Sequence, residues 1–272
     1  MTPDELLAVY DARVRAGFPD RLPGGWTGEP DGPLTRCLHP HGGFAMLTRD
    51  ARDLDAAGLE ALVDRTFAFF AAHAVEFEWK TFDHDRPDLV PLLLERGATP
   101  QPHEALVLGE AAALAGPAVL PAGLRLREVT AAADLERIAA MESQVWGEDW
   151  SWLAADLADR LAEDPPATVC VVEDLAGARD DRDHGTVVSA AWLVPLRGSG
   201  VAGLWGGSTL AGHRGRGVYR ALVAHRAAAA LRLGYPLLQV DASDDSRPIL
   251  TRLGLHVVGG TTPYVTAPGA GA

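Results

Sequence analysis

The 272-residue chain has a globular composition, with 47% apolar and 22% charged residues, and is long enough for one large or two small hydrophobic cores. Its 24 basic and 37 acidic residues give a formal net charge of −13, and an acidic surface repels nucleic-acid phosphates. No apolar run approaches the roughly 20 residues that span a bilayer, and residues 1–10 lack the pattern of a signal peptide. Composition therefore predicts a cytoplasmic protein that binds neither nucleic acid nor membrane.

A stretch of small residues with two prolines, residues 110–123, separates two patterned regions and carries no charge after Glu110. This composition is typical of an interdomain linker. We therefore predict an N-terminal domain at residues 1–112, a linker at 113–123 and a C-terminal domain at 124–272.

The C-terminal domain alternates between strand and helix patterns. Apolar residues recur with a period of two in the strands, whereas the helices are amphipathic and are bounded by capping residues, glycine or proline. Strands are predicted at residues 124–129, 168–173, 186–194, 201–210, 237–241, 255–258 and 264–266, and helices at 131–143, 151–163, 218–233 and in a short segment that ends at Gly254. This order predicts an α/β domain.

The N-terminal domain shows a fainter form of the same order. Strands are predicted at residues 43–48, 77–82 and 105–108, and helices at 55–73 and 86–96. Residues 83–97 and 241–254 also share an acidic turn, an Arg-Pro pair and a helix that ends in glycine. The repeat predicts two related domains.

A glycine-rich turn, residues 213–219 (HRGRGVY), lies between a predicted strand and a predicted helix. The N–H groups at a helix N-terminus can bind phosphate oxygens, and glycines allow close approach to the backbone. Arg214 and Arg216 would add charge-assisted hydrogen bonds. The turn lacks both the ending of a Walker loop and the three-glycine dinucleotide fingerprint. The alternative interpretation is an ordinary tight turn with solvated arginines.

The turn, the strand order before it and the helix after it resemble the GCN5-related N-acetyltransferase (GNAT) family, whose Arg/Gln-x-x-Gly-x-Gly/Ala motif binds the pyrophosphate of acyl-CoA. Arg214, Gly217 and Tyr219 stand at the three motif positions, and Tyr219 departs from the small residue expected there. The resemblance covers residues 124–266. It implies an α/β fold of two GNAT-like domains, each a central mixed β-sheet flanked by helices, with the N-terminal copy incomplete and without its own coenzyme turn.

The resemblance also implies a set of coenzyme-binding residues. Strand residues before the turn would contact the thioester arm, the turn would hold the pyrophosphate, and Ser243 stands where the family has an Asn that contacts pantetheine. The predicted set is Ser208, Thr209, Leu210, Arg214, Gly215, Arg216, Gly217, Val218, Tyr219 and Ser243. Leu250 stands where the family usually has a Tyr that protonates the departing thiolate, and Leu250 cannot donate a proton.

Candidate catalytic residues follow from the chemistry of amine acetylation, which needs a neutral nucleophile and a path for its proton. Glu142, Glu148 and Asp149 surround the break between the first two C-terminal helices, close to three tryptophans, where a carboxylate could be desolvated or bind a cationic amine. We predict Glu148 as the base, Asp241 as an acceptor-side group and Tyr264 as an acid. The alternatives are a solvated cap for Glu148, a helix cap for Asp241 and a packing role for Tyr264.

The leading hypothesis is therefore an N-acetyltransferase that uses acetyl-CoA and a small-molecule amine, for which the acidic surface favours a cationic acceptor. A non-catalytic acyl-CoA sensor or scaffold is the alternative, and a transferase that uses aminoacyl-tRNA is disfavoured by the net charge. The histidines His39, His41 and His84 share no compact ligand set, so no metal is predicted. We expect a monomer or homodimer.

Overall fold

The computed structural model describes residues 1–176 and 184–266. The strands are β1 (Thr27–Asp31), β2 (Leu34–His39), β3 (Gly42–Leu47), β4 (Phe77–Phe82), β5 (Thr99–Pro100), β6 (Glu104–Glu110), β7 (Leu124–Glu128), β8 (Thr168–Asp174), β9 (Thr186–Leu196), β10 (Val201–Thr209), β11 (Leu237–Ala242) and β12 (His256–Thr266). The α-helices are α1 (Pro3–Val9), α2 (Ala56–Ala72), α3 (Leu89–Glu95), α4 (Ala111–Leu114), α5 (Ala132–Trp146), α6 (Leu153–Ala162), α7 (Val218–Arg232) and α8 (Arg247–Arg252). Within the described ranges, none of these helices combines the length and hydropathy needed to cross a membrane.

The chain forms two compact units. The first contains Met1–Leu108, Asp241–Thr251 and strand β12, and the second contains Gly109–Val240 and Arg252–Leu255. This division differs from the predicted domains because β12, from the end of the chain, pairs with β4 and β6 of the first unit. The predicted boundaries divide the sequence into two related domains, 1–112 and 124–272, and a linker, 113–123. They remain a prediction. Residues 177–183 and 267–272 of the predicted C-terminal domain lie outside the described residues.

The sheet of the second unit has the order β11-β10-β9-β8-β7, in which β10 and β11 are parallel and the other pairs are antiparallel. Its two faces are buried against different helices. Val169 and Val171 of β8 pack in the core beneath α5 and α6, whereas Cys170 and Val172 pack beneath α7. Burial on both faces explains why β8 reads as a nearly continuous apolar run.

The sheet of the first unit has the order β1-β2-β3-β4-β12-β6, with β5 paired to β12, and is also mixed because β3 and β4 are parallel. Phe77 and Trp79 of β4 and Tyr264 of β12 lie in one hydrophobic core with side chains of α2 and α3. The mixed sheet and flanking helices of each unit confirm the predicted α/β fold.

Most predicted elements are present, and the differences have local causes. β12 is one strand of eleven residues where two short strands were predicted, because its polar centre (TTP) interrupts the apolar pattern. α4 crosses the start of the predicted linker at residue 113 and buries Ala111 and Leu114. The hairpin of β1 and β2 was not predicted, since β1 (TGEPD) has almost no buried side chain and no alternation.

A buried carboxylate joins β7, β8 and α5 in the second unit. The side chain of Glu173 is fully buried and forms ion pairs with Arg125, Arg127 and Arg137 at 2.9–3.0 Å. Burial alone would raise the pKa of Glu173, but the hydrogen bonds from the three guanidinium groups outweigh it and lower the pKa to about 2. The native state therefore stabilises the ionised form of Glu173.

We predict that Glu173 makes the stability depend on acid pH. Because its folded-state pKa is depressed, its contribution is complete above its ordinary pKa of 4.5 and is lost as the pH falls towards 2. Glu173→Gln should be less stable at neutral pH and should lose most of the slope of unfolding free energy between these pH values, as measured by urea denaturation. The exposed control Asp159→Asn should keep the wild-type slope, and a wild-type slope in Glu173→Gln would contradict the assignment.

Candidate active site

The glycine-rich turn of the second unit connects β10 to α7. After β10 the chain makes a short 3-10 turn, Ala211–His213, and α7 begins at Val218. The Nε of Arg214 donates to the carbonyl of Thr209 at 2.9 Å, and His213 pairs with Asp174 at 2.8 Å. The turn is therefore fixed both to the end of β10, which precedes it, and to the end of β8.

Glycine is needed in this turn for its backbone conformation. Gly215 and Gly217 have φ values of +73° and +84°, and a Cβ at either position would meet no atom within 4 Å. Left-handed φ favours glycine, whereas the open space leaves room for a ligand. Gly217 is the N-cap of α7 and supplies no side-chain cap. The first N–H groups of a helix have no intrahelical partner, so this helix start offers donors and the positive end of a helix dipole.

The pairing of β10 with β11 ends before β10 reaches the glycine-rich turn. Its pairing with β11 ends at Gly203 and Gln239, but β10 continues to Thr209. Across the described part of the chain, no strand pairs with residues 204–209 on that side. On the other side, the register with β9 shifts between Gly206 and Ser208, which marks a β-bulge. The result is an open strand edge beside the start of α7.

Two close contacts shape this bulge. Gly206 and Gly207 have φ values of +64° and +99°, and a Cβ on Gly207 would lie 2.7 Å from the ring of Tyr219. Tyr219, the residue that departs from the motif, thus packs where Gly207 has no side chain. Arg226 of α7 is buried and donates to the carbonyls of Trp192 and Trp205 at 3.3 and 2.9 Å, while its Nη2 has no partner among the described residues. Burial lowers the pKa of Arg226.

The residues predicted to contact the thioester arm differ in which main-chain N–H and C=O groups are free to bind a ligand. The carbonyl of Ser208 accepts from the Ser189 hydroxyl at 2.6 Å. The N–H of Leu210 donates to Val188 at 2.9 Å, and the carbonyl of Leu210 accepts from His213 at 2.8 Å. Leu210 therefore has no N–H left for a ligand, and the open edge of β10 before it carries the available groups.

A buried carboxylate faces this strand from α5. Glu142 is 1% exposed, and its Oε2 accepts a hydrogen bond of 2.9 Å from the indole Nε1 of Trp146. Its Oε1 is buried and has no hydrogen-bond partner in the described structure. Burial raises the pKa of Glu142, and the nearby Ser208 hydroxyl and the Trp146 indole partly oppose that rise. The sequence placed Glu142 in the right acidic segment but gave no signal that it, rather than Glu148, is buried.

Three tryptophans form a stack beside Glu142. Ring centroids of Trp146 and Trp150 are 6.2 Å apart, and those of Trp150 and Trp152 are 5.2 Å apart. Trp146 and Trp152 are exposed. The predicted base Glu148 lies in the connection between α5 and α6 and is also exposed, and among the described residues no hydrogen bond or ion pair orients its carboxylate. We call Trp146, Trp150 and Trp152 the tryptophan patch.

Asp241, Ser243 and Tyr264 lie in the first unit. Asp241 accepts from the Lys80 ammonium at 2.5 Å, and Tyr10, Glu78 and Glu104 act on the same pair. Burial alone would lower the pKa of Lys80, but attraction to Asp241 and the other acidic groups raises it, while burial raises the pKa of Glu78 and Glu104. Asp241 is therefore held by Lys80 of β4, a partner that sequence reasoning did not predict.

The other predicted residues of the first unit have mainly local contacts. Ser243 is exposed and hydrogen-bonds Ser246 at the start of α8. Leu250 is fully buried, and Tyr264 is 7% exposed within the apolar core that contains Trp79. This burial favours a packing role for Tyr264.

One group of side chains has the composition of a metal site. Ligand atoms of Asp134, Glu173 and His184 lie within 4.8 Å of one another. The carboxylates already form ion pairs with Arg127 and Arg137, whose positive charges oppose a cation at the same place. The sequence predicts no metal site at His39, His41 and His84. In the structure, His39 stacks on Trp26 and His84 contacts Asp11.

Comparison with known proteins shows the fold. By sequence, no protein-family model and no curated protein matches the chain. By structure, it is similar to a GCN5-related N-acetyltransferase from Kribbella flavida, with 20% identity over 98% of this chain and 93% of that chain and a TM-score of 0.66. It is also similar to a tandem GNAT protein from the clavulanic acid biosynthesis pathway (14% identity, 93% and 86% covered, TM-score 0.63) and to a GCN5-related N-acetyltransferase from Sphaerobacter thermophilus (13%, 88% and 81%, TM-score 0.61). The chain therefore has the GNAT fold over nearly its whole length, as the glycine-rich turn and the element order predicted.

Proposed function

We propose that the protein is an acyl-CoA-dependent N-acetyltransferase that moves an acetyl group from acetyl-CoA to an amine of a small molecule by direct attack. The observation that carries the proposal is the uncapped start of α7 beside the open edge of β10. Two of the similar structures are described as GCN5-related N-acetyltransferases. We propose a cytoplasmic enzyme, monomeric or homodimeric, that needs no metal.

The geometry suggests how the donor would bind. The pyrophosphate would accept hydrogen bonds from the N–H groups at the start of α7, with Arg214 and Arg216 adding charge. The pantetheine arm contains amides, and an extended amide chain can pair with an open strand edge such as residues 204–209 of β10. Ser208 and Thr209 would then lie nearest to the thioester, and Ser243 and Asp241 stay proposed contacts of the coenzyme and the acceptor.

A non-catalytic acyl-CoA sensor is the second candidate, because Leu250 is fully buried where the family's proton donor stands. A thiol leaving group has a pKa near 8.5, so water can protonate the thiolate without a phenol. Thiol release from acetyl-CoA with a panel of amines decides between the two functions. Amine-dependent thiol release supports the enzyme, and tight CoA binding without release for any amine supports the sensor.

We predict that CoA binds once per chain, at the second unit. The corresponding helix of the first unit, α2, is capped by the Asp55 carboxylate, which accepts from Gly58 N–H at 2.7 Å and would repel a phosphate. Arg214→Ala with Arg216→Ala should weaken CoA binding by roughly 2 to 4 kcal/mol, since one charged hydrogen bond is worth about 1.5 to 3 kcal/mol. Isothermal titration measures both quantities.

The exposed arginine of α8, Arg252, gives a matched control, and Arg252→Ala should bind CoA as the wild type does. Two CoA molecules per chain, or unchanged affinity in the folded double variant, would contradict the assignment of the turn.

We also predict that the ion pair of Lys80 and Asp241 stabilises the first unit. Lys80→Met removes the cation that pairs with Asp241 and leaves that carboxylate close to two other acids, Glu78 and Glu104. The free energy of unfolding should therefore fall by about 3 kcal/mol. Adding Asp241→Asn should recover a large part of that loss, because the uncompensated charge is then removed. Denaturant unfolding of the two variants measures the difference, and equal stability of single and double variants would show that the pair contributes little.

A further inference from the structure

We infer that Glu142, together with Trp146 and Ser208, forms the site that binds the acceptor amine as an ammonium ion and removes its proton. The acceptor class is a primary amine carried on an aromatic or aliphatic body. This inference rests on the proposed function and names the acceptor site of that reaction.

Glu142 has a buried acceptor atom, Oε1, without a hydrogen-bond donor in the described structure. Glu142 is 1% exposed, and its Oε2 accepts a hydrogen bond from Trp146. The Ser208 hydroxyl lies near the carboxylate, but no described group is within hydrogen-bonding geometry of Oε1. A buried carboxylate oxygen without a donor is costly. An ammonium group has three N–H donors and a positive charge. One donor would hydrogen-bond Oε1, and the charge would neutralise the carboxylate.

Among the described residues, no charged group acts on the Glu142 carboxylate. The groups that act on Glu142 are its own burial, the Ser208 hydroxyl of β10 and the Trp146 indole of α5, and none of them is charged. Other buried acids of the same unit differ, because Glu173 has three arginines. Glu142 thus has no cationic partner in the described part of the chain and can accept one from a ligand.

Glu142 lies beside β10, the strand proposed to hold the thioester. Ser208 is paired with Ala190 of β9, and Ala190 belongs to the core beneath α5, so the Ser208 side chain lies on the α5 face of the sheet. An amine at Glu142 would therefore meet β10 at the bulge that follows Gly206. Because burial raises the pKa of Glu142, its carboxylate is a stronger base than an exposed one at neutral pH.

The tryptophan patch offers a surface for the body of the acceptor. The tryptophan patch begins at Trp146, which touches Glu142, and continues through Trp150 to Trp152. Trp146 is 58% exposed and Trp152 is 42% exposed. Exposed aromatic surface next to a buried acid fits an apolar group that carries a cation, through burial of area and cation–π attraction.

Acetyl transfer at this site removes two protons from the ammonium ion. Glu142 takes one proton from the ammonium ion, and the neutral nitrogen attacks the thioester carbon. The C–N bond forms and the C–S bond breaks with its electron pair on sulfur. The nitrogen loses a second proton, which reaches the thiolate to give CoA thiol, while the proton on Glu142 passes to solvent. The products are the acetamide, CoA thiol and one proton.

Binding is the first test, and it does not depend on turnover. Phenethylamine and its neutral analogue 2-phenylethanol are titrated into the wild type, with CoA present and absent, and tryptophan fluorescence is recorded. We expect the amine to bind at least about tenfold more tightly than the alcohol, and Glu142→Gln to remove that preference. The control is Glu136→Gln on the exposed face of α5, which should keep it. Equal binding of amine and alcohol by the wild type would overturn the inference.

Kinetics is the second test. With any amine that supports thiol release, Glu142→Gln should lower kcat/KM by about 100-fold or more and remove the acidic limb of its pH profile, with CoA affinity unchanged. Trp146→Phe removes the indole donor that lowers the pKa of Glu142, so its acidic limb should move to higher pH. A wild-type acidic limb in Glu142→Gln, or its loss in Glu148→Gln instead, would overturn the assignment.

The two tests separate this inference from the proposed function. Amine binding that depends on Glu142 without any turnover would keep the site and reject the enzyme. A second copy of the chain is the other possible occupant of the tryptophan patch. Dimerisation that Trp152→Ser abolishes, together with loss of amine preference in the dimer, would show an interface and reject the acceptor site.

Discussion

The candidate site depends on the point at which β10 separates from β11. A paired strand has no free main-chain groups, so a sheet can bind an extended ligand only where a strand edge is open. The pairing ends at Gly203 and Gln239, and the bulge after Gly206 bends the free part of β10. Arg226 then donates to carbonyls of β9 and β10, which keeps the two strands together at the irregularity. The separation thus opens one edge of β10 while the other stays attached.

The same constraint explains the residue that departs from the sequence motif. Tyr219 stands where a small residue is usual, and its ring occupies the space left by Gly207, twelve positions earlier on β10. A side chain at Gly207 would meet that ring at 2.7 Å, and its φ of +99° disfavours any other residue. The large residue at the start of α7 and the glycine in the strand are therefore complementary. The motif alone, read as a local pattern, could not show this.

Elements with a clear period were predictable, whereas contacts between elements were not. The helix at 55–73 matches α2 with its caps Asp55 and His73, and the strand at 77–82 matches β4. The first C-terminal helix was predicted to end at Ser143, but α5 continues to Trp146. This last turn places the Trp146 indole within hydrogen-bonding distance of Glu142. Choosing between Glu142 and Glu148 required burial, which the acidic segment does not encode by itself. Likewise, the pairing of Lys80 with Asp241 spans 161 positions of the chain.

The starts of α2 and α7, which follow corresponding strands, differ in whether their N–H donors are available to a ligand. Asp55 satisfies a donor at the start of α2 permanently, which stabilises a helix by about 1 kcal/mol and places a negative charge there. Gly217 gives α7 no such cap, so its donors are satisfied by water or by a bound phosphate. A ligand that binds only the folded state adds its binding free energy to stability. In the second unit, the stabilisation that Asp55 gives α2 at all times would therefore come from the coenzyme, and would be present only while it is bound.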